Sequence, residues 1–227
     1  MIAGIICLVA TLVIYGLSKK LYRVRPRVYL SPLLITPLIL VAVLIWVKIP
    51  YETYYSGGIW LSDLLQPATV AFAVPLYKYY DVLKKHAVEI LVSVLSGSVV
   101  AMSSSAVLAK WMHLDMTLVT SLIPRSVTTP IAMNVSEVIG GVPTITAVFV
   151  IITGLMGAML GPLVMKMFHI DNEVARGVLF GTSAHGTGTS KAFELSSLTG
   201  TISSISMILA ALFTLGAAPM ILSLLMH

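Results

Sequence analysis

The chain alternates long apolar runs with short polar interruptions. Residues 1–17 carry no charge, and a basic cluster of Lys19, Lys20, Arg23, Arg25 and Arg27 follows them. A secretory signal peptide places its basic residues first and a small-residue cleavage site after the apolar run. The flanks are reversed here, so this segment is expected to remain as a membrane span. Val28 to Val47 is again uncharged, and Pro32 and Pro37 predict a kink in its first half. Lys48 to Gly58, with Tyr51, Tyr54 and Tyr55 and then Trp60, reads as an interfacial aromatic girdle. Leu61 to Leu76 is apolar but interrupted by Pro67 and Pro75, and Lys78, Lys84 and Lys85 follow. Ala87 to Ala109 predicts a regular span with Glu89 near its end, and Lys110 to Asp115 a short turn. Met116 to Ser136 has spanning length but holds Arg125 almost at its centre, with Pro124 and Pro130 beside it. Pro143 to Met165 is uncharged and contains Gly157-Ala-Met-Leu-Gly161, a spacing that lets helices approach closely. Gly177 to Ser190 is short, polar and glycine-rich, and Leu195 to Met226 has no charge at all.

At roughly 20 residues per span, 227 residues allow about seven or eight membrane segments and no soluble appendage. The expected architecture is an all-α polytopic membrane protein, one domain over 1–227, with proline- and glycine-broken or re-entrant helices. Composition agrees: 58% of residues are hydrophobic and 10% charged, against about 25% charged in soluble domains. Too few polar residues remain to coat a water-facing surface, which excludes a soluble enzyme, a disordered chain and a fibrous protein. The net charge is +5, and its clustering in short loops follows the positive-inside rule rather than implying nucleic acid. The loop 19–27 is therefore expected on the cytoplasmic side and the N-terminus outside. The single cysteine, Cys7, rules out an internal disulfide and a thiolate metal site, and no cofactor is expected. Two weak echoes raise an internal repeat. Gln66-Pro-Ala-Thr-Val70 resembles Ile123-Pro-Arg-Ser-Val127, and Lys110-Trp-Met-His-Leu-Asp115 resembles Lys166-Met-Phe-His-Ile-Asp171.

Chemistry concentrates at the interruptions. An arginine at mid-membrane costs at least a few kcal/mol and normally faces a partner or a water-filled cavity. Around Arg125 the prolines free backbone groups, and the hydroxyls of Ser126, Thr128 and Thr129 stand ready beside them. The planar guanidinium fits a carboxylate bidentately, so the run reads as an anion site. The competing readings are a structural pair with Glu89 or Glu137, or a side chain reaching the membrane surface. A second cluster joins Ser183, His185, Thr187 and Thr189 to several glycines, which permit close backbone approach. His185 and Glu194 are candidates for proton coupling. The bland alternatives are a loop outside the membrane or a histidine satisfied by its neighbours. Gln66 and Thr69, beside Pro67, form a third candidate, with a merely kinked helix as the alternative. No hydrolase or metalloprotease signature is present, and Ser183 and His185 point apart on a helix, so no enzyme is expected.

At these runs the sequence resembles the LrgB/CidB family of antiholin-like bacterial membrane proteins, which is related to the C-terminal half of the plastid glycolate/glycerate translocator. The resemblance rests on Leu65-Gln-Pro-Ala-Thr-Val70, Pro75-Leu-Tyr77, Pro124-Arg-Ser-Val-Thr-Thr-Pro-Ile-Ala132, Gly140-Gly-Val-Pro143 and Gly181-Thr-Ser-Ala-His-Gly186. It covers essentially the whole chain. It implies a bacterial plasma-membrane protein and two functional pictures. One is transport of small monocarboxylates of the pyruvate, glycolate or glycerate class. The other is control of murein hydrolase activity and lysis beside a small LrgA/CidA-type holin-like partner. Helix breaks around a buried arginine favour transport, with Arg125 on the carboxylate and H+ or Na+ as the coupling ion. By analogy with broken-helix transporters a homodimer is expected. Residues 1–60 would form the scaffold and dimerisation helices, and 61–227 the transport core.

Overall fold

The computed structural model describes residues 2–25, 30–64, 67, 70 and 73–226, and among them every regular element is a helix. The described chain divides into two compact units, Met1–Ala73 and Val74–His227. In the first, α1 (Ile2–Val24), α2 (Pro32–Val47) and α3 (Tyr51–Asp63) pack together, α1 chiefly on α3. Gly57 allows that approach, because a Cβ there would run into the carbonyl of Gly4. Pro37 lies inside α2. The tyrosine-rich stretch is itself helical, and Tyr51 and Tyr55 stack one turn apart at 5.7 Å.

The second unit holds α4 (Ala73–Lys78), α5 (Tyr80–Lys85), α6 (Ala87–Trp111), α7 (Met116–Leu122), α8 (Thr129–Val138), α9 (Pro143–Met167), α10 (Glu173–Leu195) and α11 (Ser197–Met226). Four described helices are long and apolar enough to cross a bilayer: Ala3–Val24, Ala87–Trp111, Pro143–Met167 and Ser197–Leu224. The shorter α2 is also apolar. Several apolar helices make this a membrane protein, and lipid would cover the large exposed side chains along the middle of these spans. The described residues thus show four such helices, against the seven or eight crossings expected from length.

Small residues decide how the second unit packs. On α9, Gly154, Gly157 and Gly161 form one stripe. A Cβ on Gly157 would meet Ala184, and one on Gly161 the ring of Phe180. The spacing read from the sequence thus seats α10 on α9. On its other side α10 presents Gly177 and Gly181 to Ile202, Ser203 and Ser206 of α11. A core of Met102, Ala106, Val119, Ile123, Val135 and Ala218 fills the space between α6, α7, α8 and α11.

Two helix ends are built alike. α6 closes with His113 in the left-handed region (φ 57°), where Leu114 N–H donates to the Ala109 carbonyl at 3.1 Å. α9 closes with His169 (φ 52°), and Ile170 N–H donates to the Met165 carbonyl at 2.9 Å. Both are left-handed caps that satisfy otherwise orphaned carbonyls. Each is followed by an acceptor side chain that caps the next helix. The Asp115 carboxylate accepts from Leu118 N–H at 3.0 Å, and Asn172 Oδ1 from Val174 N–H at 2.8 Å and Ala175 N–H at 3.2 Å. Both capped segments then break, the first between Leu122 and Thr129, the second at His185 (φ 39°, ψ −128°).

Candidate functional site

The first break carries Arg125. Pro124 is fully buried, and the chain turns through residues 123–128 before α8 starts with Pro130 in its first turn. Proline is tolerated there because the N–H it lacks would have no helical partner. A hydroxyl staple holds the loop. Ser121 Oγ accepts from Val142 N–H at 2.8 Å, and Thr146 Oγ1 lies 3.0 Å from the Ser121 carbonyl and 2.7 Å from Ser136 Oγ. The staple ties the end of α7, the end of α8 and the start of α9 into one rigid base beneath the arginine.

Arg125 is half-buried and reaches back to α6, where its Nε–H donates to Ser105 Oγ at 2.6 Å. Ser105 in turn donates to the Ala101 carbonyl at 2.6 Å. Nη1 makes only a long contact, 3.5 Å, to Thr153 Oγ1 of α9. Among the described residues no carboxylate forms an ion pair with Arg125. Glu89 is held at 2.6 Å by His86 Nδ1, and Glu137 does not reach the guanidinium. The buried structural pair is therefore not what this arginine makes. One short hydroxyl contact and one long one hold the guanidinium, and among the described residues no carboxylate neutralises it, a setting in which an anion could bind.

A groove of about 360 Å³ opens at the arginine. Ser104, Ser105, Leu108, Met112, Leu122 and Arg125 are among its lining residues. A second groove, about 490 Å³, lies at the other end of α6 between Glu89, Ser93 and Asn172 and reaches Leu179. The two occupy opposite ends of one long helix, roughly 25 Å apart at 1.5 Å per residue.

The second break packs against the same stretch of α9 that Arg125 contacts. His185 is buried, and its Nε2–H donates to the Val150 carbonyl of α9 at 3.1 Å, which fixes that ring nitrogen as the protonated one. A Cβ on Gly154 would lie 2.7 Å from both His185 Cε1 and Thr187 Oγ1. The turn of α9 from Val150 to Gly154 thus receives Arg125 on Thr153 and His185 with Thr187 on its neighbours. These three sequence candidates converge. Ser126 is buried on the Arg125 loop, Thr128 caps α8 and Thr129 opens it, and no hydrogen bond of their side chains to a described residue is made. They do not line the groove. Ser183 is exposed and donates to the Leu179 carbonyl at 2.6 Å, while buried Thr189 pairs with Ser203 Oγ at 2.9 Å. Glu194 is exposed and held by Lys191 at 2.6 Å, away from the convergence on α9. Gln66 and Thr69 lie outside the described residues. Ser105, Thr153 and Gly154 were not singled out from the sequence, where they are ordinary small residues of apolar helices.

Comparison with known proteins gives the family. The model of the LrgB-like family matches residues 11–224. The chain belongs to the LrgB-like family. Two Bacillus subtilis (strain 168) proteins are similar over nearly their whole length. YwbG is 63% identical over 223 residues, 98% of this chain and 99% of that one. YxaC is 41% identical over 208 residues, 92% of this chain and 90% of that one. The holin-like protein CidB of Staphylococcus epidermidis is 34% identical over 221 residues, 97% of this chain and 96% of its own. No solved structure matches. For an LrgB-like chain the Pro-Arg-Ser-Val-Thr-Thr-Pro run is now a piece of geometry. It is the loop that carries Arg125 to its contacts on α6 and α9.

Proposed function

We propose that this LrgB-like protein transports small monocarboxylates across the bacterial plasma membrane, with Arg125 binding the carboxylate. The observation that carries the reading is a half-buried arginine with hydroxyl partners, no carboxylate partner among the described residues and a groove leading to it. Grooves lie at opposite ends of α6, one at Arg125 and the other six residues short of the His185 break, and alternating access would require the second to extend to Arg125 as the first closes. Adding α2 and the two broken segments, 116–138 and 173–195, to the four long helices brings the crossings to seven. The matched caps at His113 and His169 and the breaks that follow support an internal repeat. The first unit serves as scaffold and dimerisation surface and the second as the transport core. His185 is the candidate for coupling a proton, Na+ is the alternative coupling ion, and no step of covalent catalysis is involved. Loop 19–27 faces the cytoplasm and the N-terminus the outside.

The second reading is an antiholin-like regulator of murein hydrolase activity that acts with a small LrgA/CidA-type membrane partner. It is favoured by the holin-like name of the CidB relatives. Uptake of labelled pyruvate, glycolate and glycerate into proteoliposomes, beside a neutral dye of similar size, separates the two. Transport predicts saturable uptake, dye exclusion and loss with Arg125→Ala. Equal passage of dye and acid, unchanged in Arg125→Ala, refutes the site and leaves the pore.

A further inference from the structure

The groove at Arg125 has a chemistry of its own. Of its lining residues only Arg125 is charged, and the remaining surface is Leu108, Ala109, Met112, Leu114 and Leu122 with two serines. Both serines are engaged. Ser105 Oγ accepts from Arg125 and donates to the Ala101 carbonyl, and Ser104 Oγ donates to the same carbonyl at 3.2 Å. Ala109, 2% exposed, forms the floor, while Leu108 and Met112, 54% and 59% exposed, form the rim. One fixed positive charge at the head of an apolar trough matches a ligand with one negative end and an apolar body.

We infer that this groove selects monoanionic acids with an apolar tail, entering from the α6–α7 turn, and that Leu108 at its rim sets the permitted tail. The inference rests on the carboxylate-binding reading of Arg125 and refines its substrate class. A second carboxylate would have to sit among leucines and a methionine without a partner, where an unpaired charge is strongly disfavoured. A hydroxylated tail would find no free donor on the wall and only spare lone pairs on engaged serines. Each methylene that leaves water for such a wall is worth about 0.8 kcal/mol, which is roughly a fourfold gain in affinity. Tail length should therefore raise affinity until the rim is reached and lower it beyond.

The test is isothermal titration of the purified full-length chain with sodium formate, acetate, propionate, butyrate and valerate, and with glycerate and succinate. The wild type, Leu108→Trp, Leu108→Ala and Arg125→Ala are compared. Leu108 is more than half exposed, so neither of its variants threatens folding. The expected result is a rise of about fourfold per methylene through the short acids, with glycerate and succinate weaker than butyrate. Leu108→Trp should end the rise at a shorter acid, Leu108→Ala should flatten its last step, and Arg125→Ala should lose every acid. Affinity indifferent to the tail and to both Leu108 variants, yet lost in Arg125→Ala, overturns the groove inference and leaves the anion site standing. Absence of binding by any acid, or binding that survives Arg125→Ala, overturns both.

Discussion

Gly154→Ala tests whether the two breaks share one turn of α9. A Cβ at this position would lie 2.7 Å from His185 Cε1, 2.7 Å from Thr187 Oγ1 and 2.9 Å from His185 Nε2. Real Cβ atoms do not come that close, so something must move. The ring cannot simply rotate away, because its Nε2–H is held by the Val150 carbonyl one turn earlier on the same helix. Overpacking of this kind costs about 1–3 kcal/mol, and losing the hydrogen bond adds about 1 kcal/mol. Alanine's better helix propensity returns at most about 1 kcal/mol. The net expectation is a loss of ~1–3 kcal/mol, read as a fall of several degrees in the thermal midpoint of the detergent-solubilised protein. Gly216→Ala is the control, because a Cβ there meets nothing within 4 Å, and it should leave the midpoint unchanged or raise it. The second arm is a double-mutant cycle. If the clash is with the imidazole, Gly154→Ala should cost less in a His185→Ala background, a coupling of about 0.5–3 kcal/mol. A midpoint for Gly154→Ala equal to that of Gly216→Ala, or strict additivity with His185→Ala, would refute the convergence on which the site is built.

Other consequences are simpler to check. Asn172→Ala removes an acceptor serving two N–H groups and Asp115→Ala one serving a single N–H, so the first should lower thermal stability more, each by about 0.5–2 kcal/mol. Thr146→Val keeps the shape but removes the hydroxyl joining Ser121 and Ser136. It should cost about 1–3 kcal/mol and, by loosening the base under the arginine, raise KM for uptake. Arg125→Lys keeps the charge and loses the fork, so uptake should fall well below wild type while exceeding that of Arg125→Ala. Wild-type rates in Arg125→Lys would show that only charge matters there.

Much of this arrangement can be read before any coordinates. The turn at 110–115, the interruption at Pro124–Pro130 and the close face at Gly157 and Gly161 all follow from local rules. What local rules cannot supply is who meets whom. Arg125 is steadied by Ser105 and Thr153, 20 and 28 residues away, and nothing about a serine in an apolar helix announces that role. The glycine-rich stretch from 177 to 190 looks polar and loop-like, yet it is helical on both sides of His185. Each helical glycine costs about 1 kcal/mol relative to alanine. Here Gly177 and Gly181 recover that cost by admitting α11 to a distance that any side chain would forbid. Glu194, a candidate proton carrier from the sequence, is exposed and pairs with Lys191, a partner at i−3 that the sequence does place in reach.

The same helix contact bears on the choice between transporter and pore. α11 carries eight serines and threonines in its thirty residues, and a water-filled pore would be the natural use for them. Instead Thr199, Thr201, Ser203, Ser204 and Ser206 are all at most 1% exposed. Thr201 Oγ1 donates to the Ser197 carbonyl at 2.7 Å, Ser204 Oγ to that of Gly200 at 2.9 Å, and Ser203 pairs with Thr189. Apart from the Ser203–Thr189 pair these bonds lie within α11, and with all five hydroxyl residues buried this stretch offers no continuous wet face. A lesion-forming role would require α10 and α11 to separate and expose the stripe, which makes a direct prediction. A disulfide between cysteines replacing Thr189 and Ser203, whose hydroxyls face each other at 2.9 Å, introduced after Cys7→Ala, would lock the two helices together. If lysis control depends on opening a pore through this interface, the locked protein should lose it and a reductant should restore it. If lysis follows instead from carboxylate flux through Arg125, Arg125→Ala should abolish the phenotype whether or not the helices can part.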